Sequence, residues 1–128
     1  MSKTVKIIKA IKFINKYNIQ NATLTDEGQI NVDGDVNLSN KNLTDSDMTA
    51  KFGRVTGNFE CQNNKLTSLD FAPEFVGGIF DCSNNNINDF DNIAIKHIEG
   101  NFYAYGTDPD KLSKLKKGIV KGKIYPSH

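Results

Sequence analysis

Five glycines constrain this chain more than any other feature. Gly34, Gly57, Gly78, Gly100 and Gly122 stand 23, 21, 22 and 22 residues apart. A period in this range marks a repeat architecture, in which one unit cannot bury its apolar face alone and stacked neighbours make the core. The residues around the glycines keep step with them. Two before each stands Val32, Val55, Val76, Ile98 or Val120, and two after stands Val36, Phe59, Phe80, Phe102 or Ile124. Four after the first four come Leu38, Cys61, Cys82 and Ala104; nine after the first three come Leu43, Leu66 and Ile87.

The positions from two before to four after the glycine share one parity. Side chains alternate faces along a strand, so these positions point one way, and each repeat is expected to open with a strand whose inward face reads Val-Gly-Phe-Cys. Asn63-Asn64-Lys65 and Ser83-Asn84-Asn85-Asn86 then supply turn formers. An Asn carried inward at such a bend can satisfy backbone groups, and stacked repeats would turn it into a ladder. Phe59-x-Cys61-x-x-Asn64-x-Leu66 and Phe80-x-Cys82-x-x-Asn85-x-Ile87 fit the core of the leucine-rich-repeat pattern. The first repeat has Lys41 in place of the Asn; the fourth has Thr107 and Pro109 where Asn and Leu belong. Such decay suits terminal repeats, which must close an open core.

The ends read as caps. Over residues 4–18, Ile7, Ala10, Ile11, Ile14 and Tyr17 fall on one side of a helix and Lys6, Lys9, Lys12 and Lys16 on the other, with Ser2 or Thr4 to cap it. Ala22–Thr25 and Gln29–Val32, joined by Asp26-Glu27-Gly28, read as a hairpin running into the first repeat strand. A second helix is expected from Thr107-Asp108-Pro109-Asp110 to Gly118, with Leu112 and Leu115 inward and Lys111, Lys114, Lys116 and Lys117 outward. Gly122–Tyr125 makes one more strand, stopped by Pro126. The expected architecture is therefore an α/β solenoid. It comprises about four leucine-rich repeats with a parallel concave sheet, in one domain over 1–128. A helix-and-hairpin cap takes 1–33, the repeats 34–106 and a helix/strand cap 107–128. With so few repeats its stability should be thin, and the end strand Gly122–Tyr125 is where a homodimer would form.

Val76-Gly77-Gly78-Ile79-Phe80-Asp81-Cys82-Ser83-Asn84-Asn85 resembles the repeating unit of small leucine-rich-repeat proteins from tailed bacteriophages. Leu66-Thr67-Ser68-Leu69, followed by Ala72-Pro73-Glu74, is similar to the linking segment of that family, and Val32–Ser39 to its opening strand. The likeness covers nearly the whole chain. It departs at 88–99, which lack the Ala-Pro segment, and at Ala104, which replaces a Cys. It implies a phage protein acting inside the infected bacterium and brings no activity or catalytic residue with it.

Charge is unevenly placed. Residues 1–20 hold five Lys and no acid, and residues 111–128 hold six Lys and no acid. The span 21–110 holds all fifteen acids against five basic residues, a net of −10. That asymmetry speaks of partners rather than fold. Interruption of Ile7–Ile14 by Lys9 and Lys12 argues against a secretion signal, and no apolar run reaches the length of a membrane span. The acceptor patterns at Asn21-Ala22-Thr23 and Asn42-Leu43-Thr44 are then read as chance, and the expected compartment is a reducing cytoplasm, the host's if the chain is phage-encoded.

Catalytic constellations are not found. His97 has no Cys or second His at metal spacing, and no Ser-His-Asp or Cys-His arrangement can be built. Asp33-Gly34-Asp35 lacks the rest of a calcium loop, and Val76-Gly77-Gly78 lacks the Gly-Lys-Ser/Thr of a phosphate loop. Cys61 and Cys82, inward on adjacent strands, read as reduced structural residues. No enzyme, cofactor or metal is expected. What remains is a surface. Residues of the opposite parity line the concave sheet, acidic at Asp35, Glu60 and Asp81, apolar at Ile79, and aromatic at Tyr103, Tyr105 and Tyr125. Tyr is a frequent hot spot, and solenoids bind through such sheets. The expected function is a non-enzymatic module that binds, and by binding inhibits, a host protein with a basic surface, anti-defence activity being the guess. Nucleic acid is not expected on an acidic face; the competing reading is nucleic-acid or membrane association through the Lys-rich terminal helices.

Overall fold

The structure is a computed structural model that describes residues 2–91 and 93–126. It is a small solenoid whose coils follow the glycine period. One five-stranded sheet runs in the order β1 (Ala22–Leu24), β2 (Ile30–Val32), β4 (Phe52–Val55), β6 (Phe75–Val76), β8 (His97–Ile98). The other runs β3 (Val36–Asn37), β5 (Phe59–Glu60), β7 (Phe80–Asp81), β9 (Phe102–Tyr103), β10 (Ile124–Tyr125). Every pairing is parallel except the hairpin β1–β2.

The expected single strand per repeat is thus two strands in two sheets, and the single concave sheet is split. The chain bends at the glycine. Inward alternation survives the bend, so parity alone does not register the corner. The glycines form a hydrogen-bonded column, in which Gly57, Gly78, Gly100 and Gly122 donate to the carbonyls of Gly34, Gly57, Gly78 and Gly100 at 2.9–3.1 Å. A Cβ on Gly100 would lie 2.7 Å from the Gly78 carbonyl oxygen, so only glycine allows this approach.

A second corner follows six residues after each of the first four glycines. Asn40, Asn63, Asn84 and Gly106 all have positive φ there, at 58°, 59°, 56° and 84°. Asn tolerates this left-handed region better than most residues, and Gly tolerates it best. The next position turns inward, where Asn64 and Asn85 are buried. The Asn64 carbonyl oxygen accepts from the backbone N–H groups of Lys41 and Leu43 in the preceding coil, while its amide donates to the carbonyls of Leu38, Cys61 and Gln62. Asn85 repeats the arrangement with Leu66, Cys61, Cys82 and Ser83. The ladder expected from the Asn spacing is present.

Down the middle runs a phenylalanine spine. Successive ring centroids from Phe13 through Phe52, Phe59, Phe80 and Phe102 lie 5.0–5.9 Å apart, within the favourable range for aromatic pairs. Phe13 belongs to α1 (Lys3–Lys16), capped by Ser2, whose hydroxyl accepts from the Val5 N–H. α1 closes the first coil and sits on the hairpin turn, where a Cβ on Gly28 would be 3.0 Å from Lys6 Cβ. The expected inward face of this helix is corrected. Ala10 and Phe13 are buried at its centre with Ile14 and Tyr17 beside them, whereas Ile11 is exposed together with Val5 and Ile8.

The second helix is also shorter than expected. α2 spans Pro109–Leu112 and does not reach Gly118. The Ser113 hydroxyl donates to the Asp110 carbonyl that the next helical N–H would have used, and the Lys114 N–H falls back to Lys111. Leu112 is buried and Leu115 half-buried, as expected. At the open end Ile124 is exposed rather than inward. Exposed Lys121 and Lys123, with Pro126 following, protect the β10 edge. The homodimer expected through this strand would set those lysines against each other.

Candidate partner-binding face

The second sheet brings the tyrosines together. In its outward row the Cα partners run Asn37, Glu60, Asp81, Tyr103, Tyr125. Adjacent parallel strands lie about 4.8 Å apart, so each side chain stands beside the next in the row. Tyr103 and Tyr125 stack at 4.9 Å with planes 6° apart, and Tyr105 lies 6.2 Å and 6.3 Å from their centroids. All three are half-buried. The result is an aromatic platform next to Asp81 in the row, with Glu60 beyond it.

Side-chain hydrogen bonds hold it in place. Asn101 donates from its amide to the Tyr103 hydroxyl at 3.2 Å while its carbonyl oxygen accepts from Lys123 N–H. The buried Ser83 hydroxyl accepts from Tyr105 N–H, and Ser83 N–H donates to Asp81 at 2.9 Å. Sequence reasoning does not single out Asn101 or Ser83 as binding candidates. Their period-matched positions are legible, but their polar partners depend on the coil-to-coil register. Gln62 donates to Glu60 at 3.2 Å, while its own carbonyl oxygen is buried without a hydrogen-bond partner.

Two expected site residues stand apart. Asp35 lies at the glycine corner, where its carboxylate accepts from Asn58 N–H at 2.7 Å, and Asn58 does the same for Ile79 N–H at 2.9 Å. This is a backbone-satisfying column, and Asp35 caps its first step. Ile79 interrupts that column and is half-buried, less open than expected.

The outer face of the first sheet carries a second stack that the sequence pattern does not reveal. Arg54 lies 3.8 Å over the Phe75 ring, Phe75 stacks on His97 at 5.0 Å, and His97 Nε2 meets Glu99 at 2.9 Å. His97 stands on β8. Because Arg54 already occupies the free ring face and Glu99 the imidazole, this row is internally satisfied.

Cys61 and Cys82 are free and buried in adjacent coils. Burial pushes both thiols well above the usual thiol range, with the neighbouring thiol and Asp81 adding to the shift at Cys61. The unfolded chain would ionise them near the usual value of about 8.5 while the fold keeps them protonated. Their contribution is therefore fully present below that pH and lost above it. The folding constant should fall by up to about tenfold per thiol per pH unit in the alkaline range. Urea titrations at rising pH check this, and a Cys61→Ala/Cys82→Ala protein should lose most of the dependence. A thiol reagent at neutral pH should label neither cysteine until denaturant is added.

Among the described residues no group of three or more His, Cys, Asp or Glu side chains could hold a metal ion, and no helix is long and apolar enough to cross a membrane. No family model, curated protein or solved structure matches the chain.

Proposed function

We propose that this protein is a non-enzymatic binding module that takes a basic segment of a host protein on the outer face of its second sheet and thereby blocks that protein. One observation carries the reading: three tyrosines converge into a platform directly beside Asp81, with Glu60 one strand further along the same row. A guanidinium or ammonium group stacks on aromatic faces and pairs with carboxylates, and here both partners stand side by side in one row. The unpartnered Gln62 carbonyl oxygen beside Glu60 would gain from a donor after a small reorientation. The acids also repel phosphate, which disfavours nucleic acid on this face.

We further read the solenoid as of leucine-rich-repeat type, phage-encoded and acting in the host cytoplasm. The support is the Phe-x-Cys-x-x-Asn unit, its buried Asn ladder and the likeness of residues 76–85 to small phage repeat proteins.

The test is capture from bacterial lysate at physiological salt by the tagged protein and by its Asp81→Lys/Tyr103→Ala variant. Tyr103 and Asp81 are outward, so the variant should keep its circular dichroism and lose a dominant protein partner by tenfold or more. Equal capture by a folded variant would overturn the assignment of this face.

A further inference from the structure

The outer side of α1 is apolar where a cap exposed to water has no reason to be. Val5, Ile8 and Ile11 are 41%, 47% and 46% exposed. Three residues apart, they lie on one side of the helix. The opposite side carries Ala10 and Phe13 into the core, so the cap is complete without the exposed three.

Charge says what could cover them. Lys3, Lys6, Lys9, Lys12 and Lys16 share the helix, and residues 1–20 contain no acid. Lys3 pairs with Glu27 at 3.3 Å and Lys6 packs over Gly28 on the hairpin side; Lys9, Lys12 and Lys16 keep the rest of the helix basic. A second copy of α1 would bring lysine against lysine. A nucleic acid would use the lysines and leave the aliphatic side chains without contacts. An anionic bilayer surface uses both, since headgroups attract the lysines while the aliphatic side chains enter the acyl boundary.

We propose that the outer face of α1 docks on an anionic lipid surface, with the helix lying along it and the solenoid held above. The helix is about 21 Å long at 1.5 Å per residue and offers three shallow anchors, so attachment is reversible. Each lysine near such a surface contributes about fivefold to partitioning.

The full chain contains no Trp, so Ile8→Trp gives a single reporter on this face. With vesicles rich in phosphatidylglycerol at physiological salt, its emission should shift to the blue and the protein should sediment with them. Vesicles of phosphatidylcholine alone should produce neither effect. Ile8→Ser/Ile11→Ser and Lys9→Glu/Lys12→Glu should each reduce sedimentation at least tenfold with unchanged melting midpoints, since these side chains lie outside the core. Lys116→Glu/Lys117→Glu, at the far end of the chain, should leave it unchanged. The proposal is overturned by absence of the blue shift, or by binding that survives the Ile8→Ser/Ile11→Ser change. It is equally overturned by binding that depends on Lys116 and Lys117, or by capture of an acidic protein through this face with no affinity for vesicles.

Discussion

Asn64→Leu should remove more than half of the fold's stability. The substitution keeps the branched four-atom shape and removes every polar contact of the side chain. The Asn64 side chain satisfies Lys41 and Leu43 N–H groups and the Leu38 carbonyl of the preceding coil, all where the chain turns. The Cys61 carbonyl keeps a second donor in Asn85, but the Leu43 N–H is buried and has no water to replace the lost acceptor. Each buried polar group left unpaired costs about 1–3 kcal/mol, so the change should remove about 3–6 kcal/mol. Domains of this size hold about 5–15 kcal/mol in total, and a stack of so few coils sits toward the lower end. The urea midpoint should fall by more than half or the cooperative transition vanish. Asn86→Leu, one residue past the ladder and exposed, should change stability by less than about 0.5 kcal/mol.

Gly100→Ala should be comparably severe although it adds one methyl group. The new Cβ would meet the Gly78 carbonyl oxygen at 2.7 Å, the Gly78 carbonyl carbon at 2.9 Å and Ile79 N at 3.2 Å. All three are backbone atoms, so no side chain can swing aside. Separating the coils would break the Gly100–Gly78 hydrogen bond and pull apart the β7–β9 pairing next to it. Overpacking against fixed structure costs about 1–3 kcal/mol and more where nothing can yield; we expect about 3 kcal/mol or above. Gly118→Ala is the informative contrast. Gly118 has φ of +88°, but an added Cβ there would meet nothing within 4 Å, so only left-handed strain applies, about 1 kcal/mol. Thermal melts of the two variants should differ clearly, with Gly118→Ala close to wild type.

What the amino-acid sequence makes legible by itself is whatever repeats. The inward residues Val55, Phe59, Cys61 and Leu66 recur with the glycines, and all are fully buried. The Asn ladder follows from the same phase. The glycine corner does not, because a bend that keeps every second residue inward is invisible to parity; its physical sign, a glycine column in backbone contact, appears only when the coils are stacked. The cap helix hides its core side for a related reason. Ile8, Ile11 and Val5 are as apolar as that side, so periodicity offers two faces, and Phe13 is selected by its place on the aromatic spine with Phe52. In the candidate face, the coming together of Tyr103, Tyr105 and Tyr125 is legible from register. The withdrawal of Asp35 into backbone bonding is not, since it depends on the Asn58 N–H one coil on.

A partner seated on the tyrosine platform should be within reach of a photo-crosslinking benzoylphenylalanine at Tyr125 and out of reach of one at the exposed turn residue Asp70. Irradiation of each protein in bacterial lysate should give one discrete protein adduct from position 125 and none from position 70. An adduct from position 70 with none from position 125 would move the partner off the tyrosine platform.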